Sequence, residues 1–235
     1  SEFLPNIVLR TDVSFFLLPI YTRLFTPSEY GTIEMLSITT LILSALIMTG
    51  MDGAQNYFFF EQKLNGKQIQ AQIIFSTIHW KLLWGGLLIT LSIFISPLLN
   101  FWLFDGELTW TIFAAAFASA WFYQMMFQSA DVFRLFFRPW AYLSITIGYN
   151  IGSAVLCIGF IWWLDMGLTG YYIGLCLSSL VMGVIGWWMI HNLIDWSGWN
   201  TKWWPDLLKF GNPLMLSGLA MILRDTSDRL FIKYY

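Results

Sequence analysis

Apolar residues in this chain come in blocks long enough to cross a bilayer, separated by short polar segments. A spanning helix needs about 20 mostly apolar residues. The pattern predicts seven such helices, at 4–25, 33–53, 76–99, 108–130, 140–164, 167–190 and 208–232. Residues 82–104, 108–130, 139–164 and 166–190 hold no Asp, Glu, Lys or Arg at all. The first and last blocks do hold charges, which makes them the candidates for function. The reading is an all-α, polytopic membrane chain in three parts. These are a six-helix transmembrane lobe over 1–191, an interfacial segment over 192–206 and, over 207–235, one further helix that opens a second lobe.

Composition supports this. The 235 residues are 57% hydrophobic and 11% charged, with 21 Phe and 14 Trp, more apolar surface than a soluble domain of this size carries. A net charge of -2 without a concentrated basic face argues against nucleic acid as a partner. Cys157 and Cys176 lie in separate apolar blocks and read as buried thiols rather than a disulfide. His79 and His191 stand near predicted helix ends with no neighbour at ligand spacing, so no metal is assigned, and no cofactor is expected.

Lysine and arginine placement sets the expected sidedness. Lys63, Lys67, Arg134, Arg138, Lys202 and Lys209 fall in the loops after the second, fourth and sixth blocks, while only Arg23 stands on the other side. That places the even-numbered loops and the N-terminus in the cytoplasm. Trp102, Trp110, Trp140, Trp162, Trp163, Trp187 and Trp188 cluster near block ends, as in interfacial aromatic belts. The segment NLIDWSGWNTKWWPD, residues 192–206, reads as lying along the cytoplasmic interface. The chain opens on Ser-Glu-Phe-Leu-Pro without a basic leader, and a span starting so abruptly suggests residues before it.

The seventh block ends AMILRDTSDRLFIK, residues 220–233, with four ionised groups in an apolar helix. Arg224 and Asp228 are four apart, as are Asp225 and Arg229, so each base can lie beside an acid. A charge in hydrocarbon costs about 2.5 to 3.5 kcal/mol on insertion scales, so these groups should face protein or a wet cavity. The first block shows the same habit at Arg10, Asp12 and Arg23. Thr22-Arg23-Leu24-Phe25 also matches Asp228-Arg229-Leu230-Phe231 in three of four positions, at equivalent places in two blocks of six helices. A duplicated transporter with its site between repeats would show that. Arg10, Arg23 and Arg224 are then candidates to line one cavity and bind an anion such as a phosphate or pyrophosphate. Asp12, Asp225, Asp228 and Arg229 are candidates for structural ion pairs or for coupling. At Gly211-Asn212-Pro213 two readings stand, a hinge and a simple helix start with Asn212 as cap.

Several stretches resemble one family. FLLPIYTRLFTPSEYGTIEML, with Pro19, Thr22, Arg23, Pro27, Glu29, Tyr30 and Gly31, is similar to the opening of bacterial polysaccharide and O-antigen flippases. These are the Wzx-like branch of the multidrug/oligosaccharidyl-lipid/polysaccharide exporters. LLKFGNPLMLSGLAMILRDTSDRLFIKYY resembles the same family's seventh span, through Gly211, Pro213, Asp228 and Arg229. FRLFFRPWAYLSI and DMGLTGYYIG resemble the junctions between. The resemblance implies a MATE-like fold of two lobes around a cavity. It implies alternating access that carries an undecaprenyl-pyrophosphate-linked oligosaccharide across the inner, cytoplasmic membrane for O-antigen, capsule or exopolysaccharide. It further implies cationic lumen residues holding the pyrophosphate, membrane lipid around the tail, and polymerase and glycosyltransferases nearby. The chain then corresponds to the N-terminal half of such an exporter.

Two other readings compete with this one. A cation-coupled multidrug antiporter of the same superfold would use Asp12 as its responsive carboxylate, but the adjacent Arg10 and the Tyr-Gly loop favour the flippase. A membrane polymerase, ligase or acyltransferase wants a large outward loop with acids, bases or His, and the sequence has no such loop, no Ser/His/Asp set and no phosphate loop. The expectation is a transporter and not an enzyme.

Overall fold

The computed structural model describes residues 25–104, 106, 108–191 and 201–234, with residues 227–234 described by backbone alone. In chain order these form α1 (Pro27–Met48), α2 (Met51–Glu61), a 3-10 turn (Gln62–Asn65), α3 (Lys67–Phe104), α4 (Trp110–Leu135), α5 (Pro139–Trp162), α6 (Gly167–His191) and α7 (Trp204–Tyr234), with no strand among the described residues. The first predicted span lies outside the described residues.

α1 starts six residues before the hydrophobic block predicted at 33, because its start is chemical. Thr26 caps it, accepting from Glu29 N–H at 3.3 Å while Glu29 Oε2 accepts from Thr26 N–H at 2.8 Å. Pro27 occupies the first turn, where no N–H is needed. The Thr-Pro-Ser-Glu segment is thus a helix start rather than a loop. α1 ends where Thr49 and Gly50 both take left-handed backbone (φ 46 and 66) before α2 resumes. Freed polar groups of a broken membrane helix need partners inside protein. Here Trp84 Nε1 donates to Leu46 O at 3.1 Å and Trp80 Nε1 donates to Thr49 Oγ1 at 2.9 Å.

α3 is 38 residues long, about 57 Å at 1.5 Å per residue, well beyond the hydrocarbon thickness. His79 therefore sits within a helix and not near its end. α7 begins at Trp204, so Pro213 lies inside it and Asn212 is not its cap. The helix-start reading of Gly211-Asn212-Pro213 is thereby corrected; one turn of α7 forms instead from Trp204 to Leu207, with Leu207 N–H on Trp203 O at 2.9 Å.

The bundle is apolar outside and comparatively polar inside. Leu87, Leu91, Phe94, Leu98 and Trp102 of α3 and Ile151, Val155 and Trp162 of α5 are exposed, whereas Gln55, Ser76, Thr77, Lys81, Gln128, Ser129 and Asp131 are buried. In water that arrangement would be unstable; in lipid it is the expected one. Among the described residues five helices are long and apolar enough to cross a membrane: Ser28–Leu64 counted through the break, α3, α5, α6 and Trp204–Thr226. α4 has spanning length, at 26 residues, but lower apolarity. Its position explains this, since it packs against α1, α3, α5 and α6 and buries Gln124, Gln128 and Ser129 along with Phe113, Phe117 and Phe133.

Small residues let α6 press on α4 and α5. A Cβ on Gly186 would fall 2.2 Å from Ser129 Oγ, and one on Gly174 would fall 2.7 Å from the Cys157 backbone nitrogen. This close approach is the one expected of glycines between membrane helices. Neither Cys157 nor Cys176 forms a disulfide, and Cys157 Sγ donates to Tyr171 O at 3.2 Å. Phe60 meets Phe137 and Phe58 meets Trp203, so the turns after α2, after α4 and before α7 gather at one end of the lobe. That end carries Lys63, Arg134, Arg138 and Lys202, and is called the basic end below.

Candidate functional site

Two charged features stand out, and only one of them was legible beforehand. The first is a buried polar chain near the basic end. Lys81 lies on α3 directly before the charge-free run 82–104, and Asp131 lies on α4 directly after the charge-free run 108–130. Both therefore occupy the layer where the hydrocarbon-length segments stop. Asp52 enters the same layer from α2, two residues after the helix break, where an acid in the first turn is favoured by the helix dipole.

The Lys81 ammonium, fully buried, donates to Asp52 Oδ1. It also donates to Gln128 Oε1 at 2.6 Å. Gln128 Nε2 donates to Gln55 Oε1 at 2.6 Å, and Gln55 Nε2 reaches Asp131 Oδ2 at 3.5 Å. Asp131 is in turn bridged by Arg134, whose side chain is half exposed at the basic end. An ammonium can only donate and a carboxylate can only accept. Both amides are therefore oriented, oxygen toward Lys81 and nitrogen toward Asp131. The chain joins α2, α3 and α4 with two bases and two acids, so its charges balance inside the lobe. Its one loose end is Asp52 Oδ2, which has no hydrogen-bond partner among the described residues.

Sequence reasoning missed this chain. A signal existed: Lys81 and Asp131 are the charges that delimit two charge-free runs. Their pairing across distant segments had no local signature.

The second feature is the charged end of α7. Arg224 bonds its immediate neighbour Asp225, NH2 to Oδ1 at 2.9 Å, with side chains 72% and 50% exposed. The expected spacing put Asp228 beside Arg224; the contact described is with Asp225. α7 continues as helix past Asp228 and Arg229, whose side chains lie outside the described residues. Arg10, Asp12 and Arg23 also lie outside them. Of the three predicted anion-binding arginines, the structure thus places one. It stands on the open side of α7, away from the buried chain. No group of three or more potential metal ligands forms among the described residues.

The two features differ in what they can do. The buried chain is neutralised and closed to anything large, so its work is to hold three helices in register. The Arg224 guanidinium, paired with Asp225, is 72% exposed and within reach of a solute or headgroup.

The family model for polysaccharide biosynthesis proteins covers residues 8–235. No curated protein and no solved structure matches the chain.

Proposed function

Because the chain belongs to the polysaccharide biosynthesis protein family, and is a multi-pass membrane protein, we propose that it is a flippase for a lipid-linked oligosaccharide. The cargo is of the undecaprenyl-pyrophosphate type, moved by alternating access across the cytoplasmic membrane with the basic end in the cytoplasm. The observation that carries this reading is the contrast between Lys81 and Arg224. Lys81, inside the lobe, is buried and matched by acids. Arg224 is paired with Asp225 yet largely exposed on an apolar helix at the bundle's edge, where a charge is expensive in lipid and useful against an anionic headgroup. On this reading Arg10 and Arg23 join Arg224 around the pyrophosphate, Asp12, Asp225, Asp228 and Arg229 balance or couple the charge, and a second lobe closes the cavity. The polymerase and glycosyltransferases of the same glycan are the working partners.

The test is complementation. The complete gene is expressed in a bacterium lacking its own O-antigen flippase, and surface polysaccharide is probed with antibody. Export restored by the wild type and abolished by Arg224→Ala at equal protein level supports both cargo and site. Cation-dependent dye efflux without restored export would favour a drug antiporter instead.

A further inference from the structure

α7 touches the rest of the lobe at the helix break, and does so backbone to backbone. A Cβ on Gly211 would fall 2.6 Å from Thr49 O and 3.1 Å from Gly50 C, and one on Gly50 would fall 2.1 Å from Gly211 O. Neither position can carry a side chain without pushing the helices apart. Gly50 is also in left-handed backbone, which glycine adopts freely. Two turns along α2, the Tyr57 ring stacks on Phe210 with centroids 4.7 Å apart. Leu207 is fully buried against Met51, Ala54 and Ile73, and Trp204 Nε1 donates to Ser76 O at 2.9 Å.

The backbone-to-backbone approach is local to this crossing. Further along α7, Leu216, Met221 and Leu223 are exposed, and a Cβ on Gly218 would meet nothing within 4 Å. Arg224 lies 13 residues past Gly211, about 20 Å along the axis. α7 therefore meets the break backbone to backbone at one end, and beyond it keeps one face packed, touching α1 and burying Thr226, while its opposite face is exposed.

We propose that the Gly50–Gly211 crossing is a clasp that shuts the basic end between the first lobe and α7, and that it must open and reclose in each transport cycle. The inference rests on the flippase reading for its role in transport, but not for its geometry. Three features suit it to that work. Contact between two backbones has no long side chains to reorder, so it makes and breaks with little entropy change. The α1–α2 break supplies torsional freedom next to the contact, as hinge positions do. The Asp52 to Arg134 chain begins two residues after the break and ties α2 to α3 and α4, so α2 moves as part of a rigid body while α7 moves against it.

The experiment uses a disulfide. A Cβ on Gly53 would lie 2.7 Å from Leu214 Cδ1, so Gly53→Cys with Leu214→Cys, in a Cys157→Ser/Cys176→Ser background, brings two thiols within bonding range across the contact. In membranes of the complementing strain, mild oxidant should cross-link the pair, stop surface glycan export, and dithiothreitol should restore it. Added Gly211→Val should cut cross-link yield by about tenfold, as overpacking of a tight contact would, and cut export with it. Gly218→Val, on the same helix in open space, should change neither. Cross-linked protein that exports normally overturns the clasp, as does Gly211→Val with unchanged cross-linking. If the parent restores no export at all, the flippase reading falls, and cross-link yield with and without Gly211→Val still judges the contact.

Discussion

Lys81 shows how one side chain can decide local energetics in a membrane bundle. A fully buried ammonium held by Asp52 and Gln128 adds little net stability as a pair, but removing one partner leaves a charge uncompensated at a cost of about 3–5 kcal/mol. Lys81→Ala should therefore lower unfolding free energy in detergent by roughly that much. Lys81→Met combined with Asp52→Asn should recover most of the loss, giving a coupling of about 1 kcal/mol or more in the double-mutant cycle. Additive losses would show that the two residues act independently. Arg134→Ala should cost less than Lys81→Ala, because its guanidinium is half exposed and water screens its bridge to Asp131.

At the level of elements, helix starts and helix contacts follow different rules. The start of α1 is a local matter of capping by Thr26 and Glu29. Thr26→Ala should therefore cost about 1 kcal/mol and change cross-linking or export little, as a thermal melt beside the complementation assay would show. Contacts between helices are set by small residues. Gly186→Val would drive a branched side chain into Ser129 on α4 and should destabilise by about 1–3 kcal/mol, read as a lowered melting temperature in detergent. The same substitution at Gly159, where a Cβ meets nothing within 4 Å, should be nearly neutral. The pair separates packing glycines from those that merely occupy a helix.

For the whole molecule, sidedness is the property that the proposed function most depends on. Single cysteines at Lys63 and at Asp165, in the Cys157→Ser/Cys176→Ser background, report it directly. With intact cells a membrane-impermeant maleimide should label Asp165→Cys and spare Lys63→Cys until the membrane is opened. The reverse pattern would turn the basic end outward and contradict transport from the cytoplasmic leaflet as proposed. If Arg224 holds the headgroup as proposed, Arg224→Ala should then abolish export without altering this labelling, since the exposed side chain can be removed with the fold left in place.

Sequence by itself determined what lipid demands of each segment. Helical class, the long apolar blocks, the basic loops and the family likeness all depend on local composition or order, and all were readable. The first turn of α1 had a local signal, the Thr26-Pro27-Ser28-Glu29 capping box, but hydropathy starts the span later, at residue 33, and leaves that segment in a loop. Tertiary structure decided the rest. Whether Lys81 is a cavity cation or a neutralised strut depends on Asp52 and Gln128, 29 and 47 residues away. Whether Gly211 starts a helix or seats one depends on Gly50, a segment far upstream that no spacing rule connects to it. A charge or a glycine states a requirement for a partner or for space, and only the assembled helices determine which residue meets it.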